Sequence, residues 1–409
     1  MVKYFLIILL FPHPLYSNSY KIVPNQTQES INTTIQNAKP HDTIIFQDGI
    51  IHIQNLIISK PLTLVGTHKA VLDGSGKYEI MIISGDSIQV LGLTFKNSGY
   101  SSMNDYASIK IINSKHITIE NNNIFDAFFA IHISNSSYCT IKGNRIEGRS
   151  ISEQLNGNAI HAWKSKYLNI ANNTLSRHRD GIYLEFVTHS SITGNHSTQQ
   201  MRYGLHFMFS NDDSYTGNFF SQNGAGVAVM YSKKVVMKNN KFTKNWGPSA
   251  YGLLLKDISD SEIENNVFEE NTKGIYMEGS NRIKNEYNVF KENGWGIVLQ
   301  ANCSDNSFTY NNFISNSFDV STNGRLTLNM FDHNYWDEYE GYDLNKDGIG
   351  DVSYHPLSFF SVLLEQNQSF LIFIKSFMMT LFDKMERAIP SLTSDEFIDQ
   401  NPSMRPVHL

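Results

Sequence analysis

The sequence has little with which to cross-link or stiffen itself. Cysteine occurs only as Cys139 and Cys303, and 409 residues hold 10 prolines. That usage excludes a small disulfide-built scaffold and a proline-rich linker protein. Charge is also sparse: Asp, Glu, Lys and Arg make up 18% of the chain, and the formal net charge is -6. There is no basic surplus to neutralise phosphates, so nucleic acid is not an expected partner. The early apolar run Tyr4–Phe11 is too short to span a bilayer. What is abundant is apolar mass, 41% of residues with 26 Phe and 20 Tyr, enough for a large core. Lys3, the run to Phe11 and the small residues Ser17-Asn18-Ser19 have the form of an export signal cleaved after Ser19. Residues 1–19 are therefore expected to be a signal peptide.

An internal repeat fixes the architecture. Asparagine marks a corner at Asn122, Asn144, Asn173, Asn195, Asn218, Asn240, Asn266, Asn288 and Asn312, each but Asn195 two positions before an apolar residue, in steps of 22, 29, 22, 23, 22, 26, 22 and 24. A period near 22 with Asn at the corner marks a solenoid, and Asn tolerates the left-handed backbone of a tight turn. Thirteen residues before each corner stands an apolar strand residue: Ile131, Ile160, Ile182, Leu205, Val227, Leu253 and Ile275. This offset is constant, so the surplus residues of the long steps fall in loops at Glu147–Asn158 and Lys244–Ala250. Short alternating strands such as Gly181-Ile-Tyr-Leu184 complete the pattern. The expected fold is all-β: a right-handed parallel β-helix of about 22-residue coils over residues 20–335. Glu29–Ala38 has helical spacing suited to an N-terminal cap, residues 336–356 form an Asp/Gly-rich loop, and residues 357–409 form a helical tail. With coils about 4.8 Å apart, Cys139 and Cys303 lie roughly 34 Å from each other and are expected as free thiols.

Several stretches go beyond a generic coil: Thr63-Leu-Val-Gly66, Ala70-Val-Leu-Asp-Gly74, Asp180-Gly-Ile-Tyr-Leu184, Arg202-Tyr-Gly-Leu-His-Phe-Met208 and Gly226-Val-Ala-Val-Met-Tyr-Ser232. Phe318-Asp-Val320, Asn334-Tyr-Trp-Asp-Glu-Tyr-Glu-Gly-Tyr-Asp343, Asp347-Gly-Ile-Gly-Asp351, Arg387-Ala-Ile-Pro-Ser391 and Pro402-Ser-Met-Arg405 follow in order. In this order they resemble the NosD family over nearly the whole mature chain. The resemblance implies a periplasmic, non-enzymatic accessory protein that works with an ABC-type ATPase and permease, NosF and NosY. It also implies association with the copper lipoprotein NosL and with nitrous oxide reductase as client, whose copper centre it helps mature. The chain has no Gly-x-x-x-x-Gly-Lys-Ser/Thr loop, in keeping with ATP hydrolysis in a partner.

Alternation within the strands assigns chemistry to faces. If Leu205 and Phe207 point inward, His206 and Met208 point outward, and Met230 stacks beside Met208 on the next coil. Thioether and imidazole together suit Cu(I). His206, Met208 and Met230, with Met201 in the preceding turn, are expected to form a transient surface copper contact or else a partner-docking patch. His132 and His161 extend the same face. Asp343, Asn345, Asp347 and Asp351, with the carbonyl of Ile349, have the spacing of a Ca²⁺ loop, although Tyr354 replaces the closing Glu. In the tail, Phe370, Phe373, Phe377, Met378 and Phe382 form an apolar face expected to cap the stack or dock on the permease. A second class of function is open to this fold, a polysaccharide lyase, epimerase or carbohydrate-binding protein. Its candidate groups are His178, Asp180 and Glu185, but no second carboxylate pairs with Glu185.

Overall fold

A computed structural model describes residues 17–101, 105–149, 152–324, 328–357 and 397–408. The chain winds into a parallel β-helix whose coils each add one short strand to three long sheets of 14, 12 and 13 strands. Strands run from Ser19–Ile22 to Tyr335–Trp336, and every paired neighbour is parallel and one coil away, as in Ile131↔Ile160 and Ile182↔Leu205. Ser19, expected as the last leader residue, pairs with Thr43.

The core is a set of columns, because identical positions of successive coils fall above one another. Ile131, Ile160, Ile182, Leu205, Val227, Leu253, Ile275, Ile297 and Val320 form one fully buried column. A second runs through Ile124, Ile146, Leu175 and Ser197 and is aromatic from there on: Phe220, Phe242, Phe268, Phe290, Phe313 and Trp336. Those rings stack face to face with centroids 4.2 to 5.4 Å apart. Both cysteines are buried in the stack and unpaired.

The corner asparagines act through their side chains. Asn122, Asn144, Asn173, Asn195, Asn218, Asn240, Asn266, Asn288, Asn311 and Asn334 are buried in one line. Each Nδ2 donates to the Oδ1 of the next, as in Asn218 to Asn240 at 3.0 Å, and also to a core-strand carbonyl, as in Asn240 to Tyr215 O at 3.0 Å. The left-handed backbone falls one residue earlier, on Asn121, Gly143, Asn172 and their counterparts. The ladder also corrects one corner. Asn311 rather than Asn312 belongs to it, since Phe313 is the inward residue and Ile314 is partly exposed.

Both ends of the stack are covered. Helix Gln28–Asn37 starts at Thr27, whose Oγ1 accepts from Ser30 N, and buries Ile31 and Ile35 at the N-terminal end. At the other end residues 397–408 return as an extended segment bridging Phe331, Tyr335, Ile349 and Tyr354. Phe397 is buried against Phe331, ring centroids 5.9 Å apart. Asp399 terminates the ladder: its Oδ2 accepts from Asn334 N, Asn334 Nδ2 and Trp336 Nε1, each at 3.0 Å. The part of the expected helical tail at 397–408 is thus a non-helical clasp, while 358–396 lie outside the described residues.

One buried acid is poorly matched to its site. Asp213 accepts from Ser190 N at 2.7 Å, but its Oδ2 has no partner, and burial pushes its carboxyl up to about 8. A raised carboxyl pKa makes the folded state hold its proton longer than the unfolded chain does. Stability is then lost as pH rises from the unfolded value near 4 towards 8. Asn306 occupies the same turn position further along and donates to Ser280 O at 3.0 Å. Asp213→Asn is therefore expected to stabilise the protein at pH 7 by about 2–4 kcal/mol and to have little effect near pH 4. Urea melts of both proteins at the two pH values measure this, and equal midpoints at pH 7 refute it.

Candidate functional site

The two long insertions share an edge. Each joins a strand of the 13-stranded sheet to one of the 12-stranded sheet: Arg145–Glu147 to Ile160–Trp163, and Lys241–Thr243 to Leu253–Lys256. They border the outer face of the 12-stranded sheet, where the histidines and methionines lie. One outward column reads His132, His161, Tyr183 and His206 on consecutive coils, and the next reads Ser134, Trp163, Glu185, Met208, Met230 and Lys256.

Met208 and Met230 are register partners and both are partly exposed. His206 shares their face as the alternation suggested, but it is only 4% exposed and so is buried beneath the surface. Its ring stacks on Tyr183 at 4.6 Å and packs against Tyr203 at 4.8 Å. Its Nδ1 stands 3.6 Å from Asp180 Oδ2, beyond hydrogen-bond range. Met201 is turned to the insertion, its sulfur 3.7 Å from Asn156 Nδ2.

Asp180 is fully buried and held by Arg202, whose Nε and Nη2 donate at 2.9 and 2.6 Å. Burial pushes its carboxyl up, but His206 and Arg202 outweigh this and hold it at about 2. Such a carboxylate is a fixed anion, not a general base. His178 is fully buried too, and neither ring nitrogen has a partner. Glu185 is partly exposed between Trp163 and Met208. These three do not form the pair of facing acids that sugar chemistry requires. Arg202 follows Asp180 by one coil step, so their pairing was open to the repeat register and was missed.

The Asp343–Asp351 loop satisfies itself. Asp343 accepts from the amides of Lys346, Asp347 and Gly348, Asn345 Oδ1 from Asp347 N, Asp347 Oδ1 from Ile349 N, and Asp351 Oδ2 from Leu344 N. Its oxygens serve as turn acceptors, and nothing in this geometry supports Ca²⁺. Among the described residues no three His, Cys, Asp or Glu side chains gather as a metal cluster. The apolar set Phe370, Phe373, Phe377, Met378 and Phe382 lies outside the described residues.

A feature that alternation did not reveal borders the methionines. Phe186, Phe209 and Tyr231, one residue beyond Glu185, Met208 and Met230, all have positive φ and stack at 5.1 Å on an exposed edge. Across the same turn His116, Tyr138, Tyr167 and His189 form a second exposed stack. Bulky residues in left-handed backbone are unusual, and here the turn geometry dictates them.

Residues 142–346, half of the chain and including all the coils just described from Ile160 to Met230, match the family model described as "Periplasmic copper-binding protein (NosD)". The chain belongs to the NosD family. It is 29% identical over 379 residues to the "Probable ABC transporter binding protein NosD" of Pseudomonas aeruginosa, covering 86% of each chain. The protein of the same description from Stutzerimonas stutzeri is 27% identical over 400 residues, covering 85% of this chain and 84% of that one. Solved structures share the fold at low identity. The A-module of a mannuronan C-5 epimerase from Azotobacter vinelandii aligns with TM-score 0.54 and 14% identity over 75% of this NosD-family chain and 90% of its own. An α-1,3-glucanase from Streptomyces thermodiastaticus aligns with TM-score 0.63 and 12% identity over 80% and 70%. These likenesses establish the parallel β-helix and carry no activity across. Among the described residues of this NosD-family chain, no helix is long and apolar enough to cross a membrane.

Proposed function

We propose that this chain is an exported, periplasmic accessory protein of an ABC transporter, without catalysis of its own, that mediates copper or sulfur delivery to the maturing copper centre of nitrous oxide reductase. NosF- and NosY-type subunits are its transporter partners at the inner membrane, and a NosL-type lipoprotein is its copper donor. The observation that carries the copper part is the pair Met208 and Met230, side by side in register and partly exposed on one sheet face. Two thioethers are soft donors that favour Cu(I), and their exposure lets a partner add or withdraw a ligand. His206, buried on the same face, serves as the fixed ligand beneath this displaceable pair. The exposed aromatic edge beside them suits the partner contact that transfer requires.

Changing both Met208 and Met230 to Leu keeps volume and apolarity while removing both sulfurs. The double variant is expected to fold, to bind the transporter, and to leave the reductase several-fold poorer in copper when copper is limiting. Metal analysis of reductase purified from that strain measures this. Normal loading would reduce the patch to a docking surface.

A further inference from the structure

The outer column holds a second pair of soft-metal donors. His132 and His161 are register partners on adjacent coils, with ring centroids 5.0 Å apart and planes at 69°. Phe129 walls both rings, at 5.5 and 5.3 Å, and Tyr183 closes the far side of His161 at 4.9 Å. His132 is 7% exposed. Its Nδ1 and both ring nitrogens of His161 are out of reach of solvent and have no hydrogen-bond partner. A neutral imidazole carries one N–H and one lone pair, and each left unpaired in the interior costs about 1–3 kcal/mol. A fold that satisfies its corner amides so completely leaves these nitrogens bare, which asks for a ligand. The carboxylate of Asp105 is exposed and 3.9 Å from His132 Nε2, beyond hydrogen-bond range.

We infer that His132 and His161 form a two-coordinate site for Cu(I), separate from the Met208–Met230 pair. Two neutral nitrogen donors, with no cluster of three His, Cys, Asp or Glu among the described residues, fit a soft monovalent ion better than Zn²⁺, which takes four. Met208 lies two coils and one strand alternation from His161, roughly 12 Å by coil and strand spacing, too far for one ion to be shared. This inference rests on the copper reading above and adds an internal station to its exposed one.

The test is an anaerobic Cu(I) titration of the purified full chain against a competing chelator. It is paired with imidazole ¹⁵N spectra during titration with Ag(I), a redox-inert stand-in. The variant His132→Phe/His161→Tyr keeps aromatic packing in the column. It is expected to bind at least ~10-fold more weakly at one of two sites, whereas Met208→Leu/Met230→Leu keeps that site. In the unmutated protein Ag(I) is expected to move the nitrogens of both His132 and His161, a readout that needs no variant. If the protein takes up Cu(I) but the histidine variant binds as tightly and neither imidazole responds, the histidine site is wrong while the methionine site stands. If the unmutated protein takes up no Cu(I), both are wrong.

Discussion

Replacing Asp399 with alanine is expected to destabilise the protein by about 3–5 kcal/mol, more than a typical substitution. The carboxylate is fully buried, and its Oδ2 receives two N–H groups of Asn334 and the indole N–H of Trp336. Because every asparagine in the ladder points its amide donors at the next coil, the line arrives at its C-terminal end with donors unmet. An acceptor must stop it, and alanine leaves three buried N–H groups without partners. Asp399→Asn keeps one acceptor oxygen and is expected to lose about 1–2 kcal/mol. Urea unfolding of the three proteins decides the matter, and an alanine variant within about 1 kcal/mol of the parent would show that the ladder ends without help.

This clasp changes what the C-terminal region does. Removal of residues 357–409 takes away Phe397 and Asp399 and is expected to fray the last coils, since a solenoid depends on its terminal caps. Deleting only 358–396 leaves the clasp residues in the chain and is expected to test the proposed transporter docking apart from folding. The apolar run Phe370–Phe382 dominates the hydropathy of the stretch, so the sequence alone suggests one helical unit there. Nothing local marks a lone aspartate 65 residues beyond Asn334 as its partner.

Where the chain repeats, its sequence was a reliable guide. A period of one coil converts sequence spacing into spatial adjacency, so the pairs Ile182↔Leu205 and Met208↔Met230 followed from counting. The same counting slipped at Asn312, where two asparagines in a row each stand two residues before an apolar residue. Only packing decides that Phe313 is the inward one. Burial on the outer face was not legible. Alternation says that His206 leaves the core, but not that Tyr183, Tyr203 and Asp180 enclose it afterwards. In the Asp343–Asp351 motif the spacing that wraps a cation also serves turn amides, so spacing alone does not choose between the two. The bare nitrogens of His132 and His161 depend on what neighbouring coils fail to provide, and a sequence does not display an unmade bond.

The second large effect concerns the client enzyme. The proposed function would leave its mark on another molecule, so the decisive material is nitrous oxide reductase from a strain lacking this chain. The expected reductase is folded but carries little copper and little sulfide at its copper–sulfide centre. Supplying the intact gene is expected to restore both, and supplying Met208→Leu/Met230→Leu is not expected to restore the copper. Copper missing with sulfide present would identify copper as the cargo, and the converse would identify sulfur. The most direct measurement is thus the copper and sulfide content of reductase purified from the deletion strain under limiting copper. That centre is expected to be depleted several-fold in at least one of the two, and a fully loaded centre would contradict the proposed function.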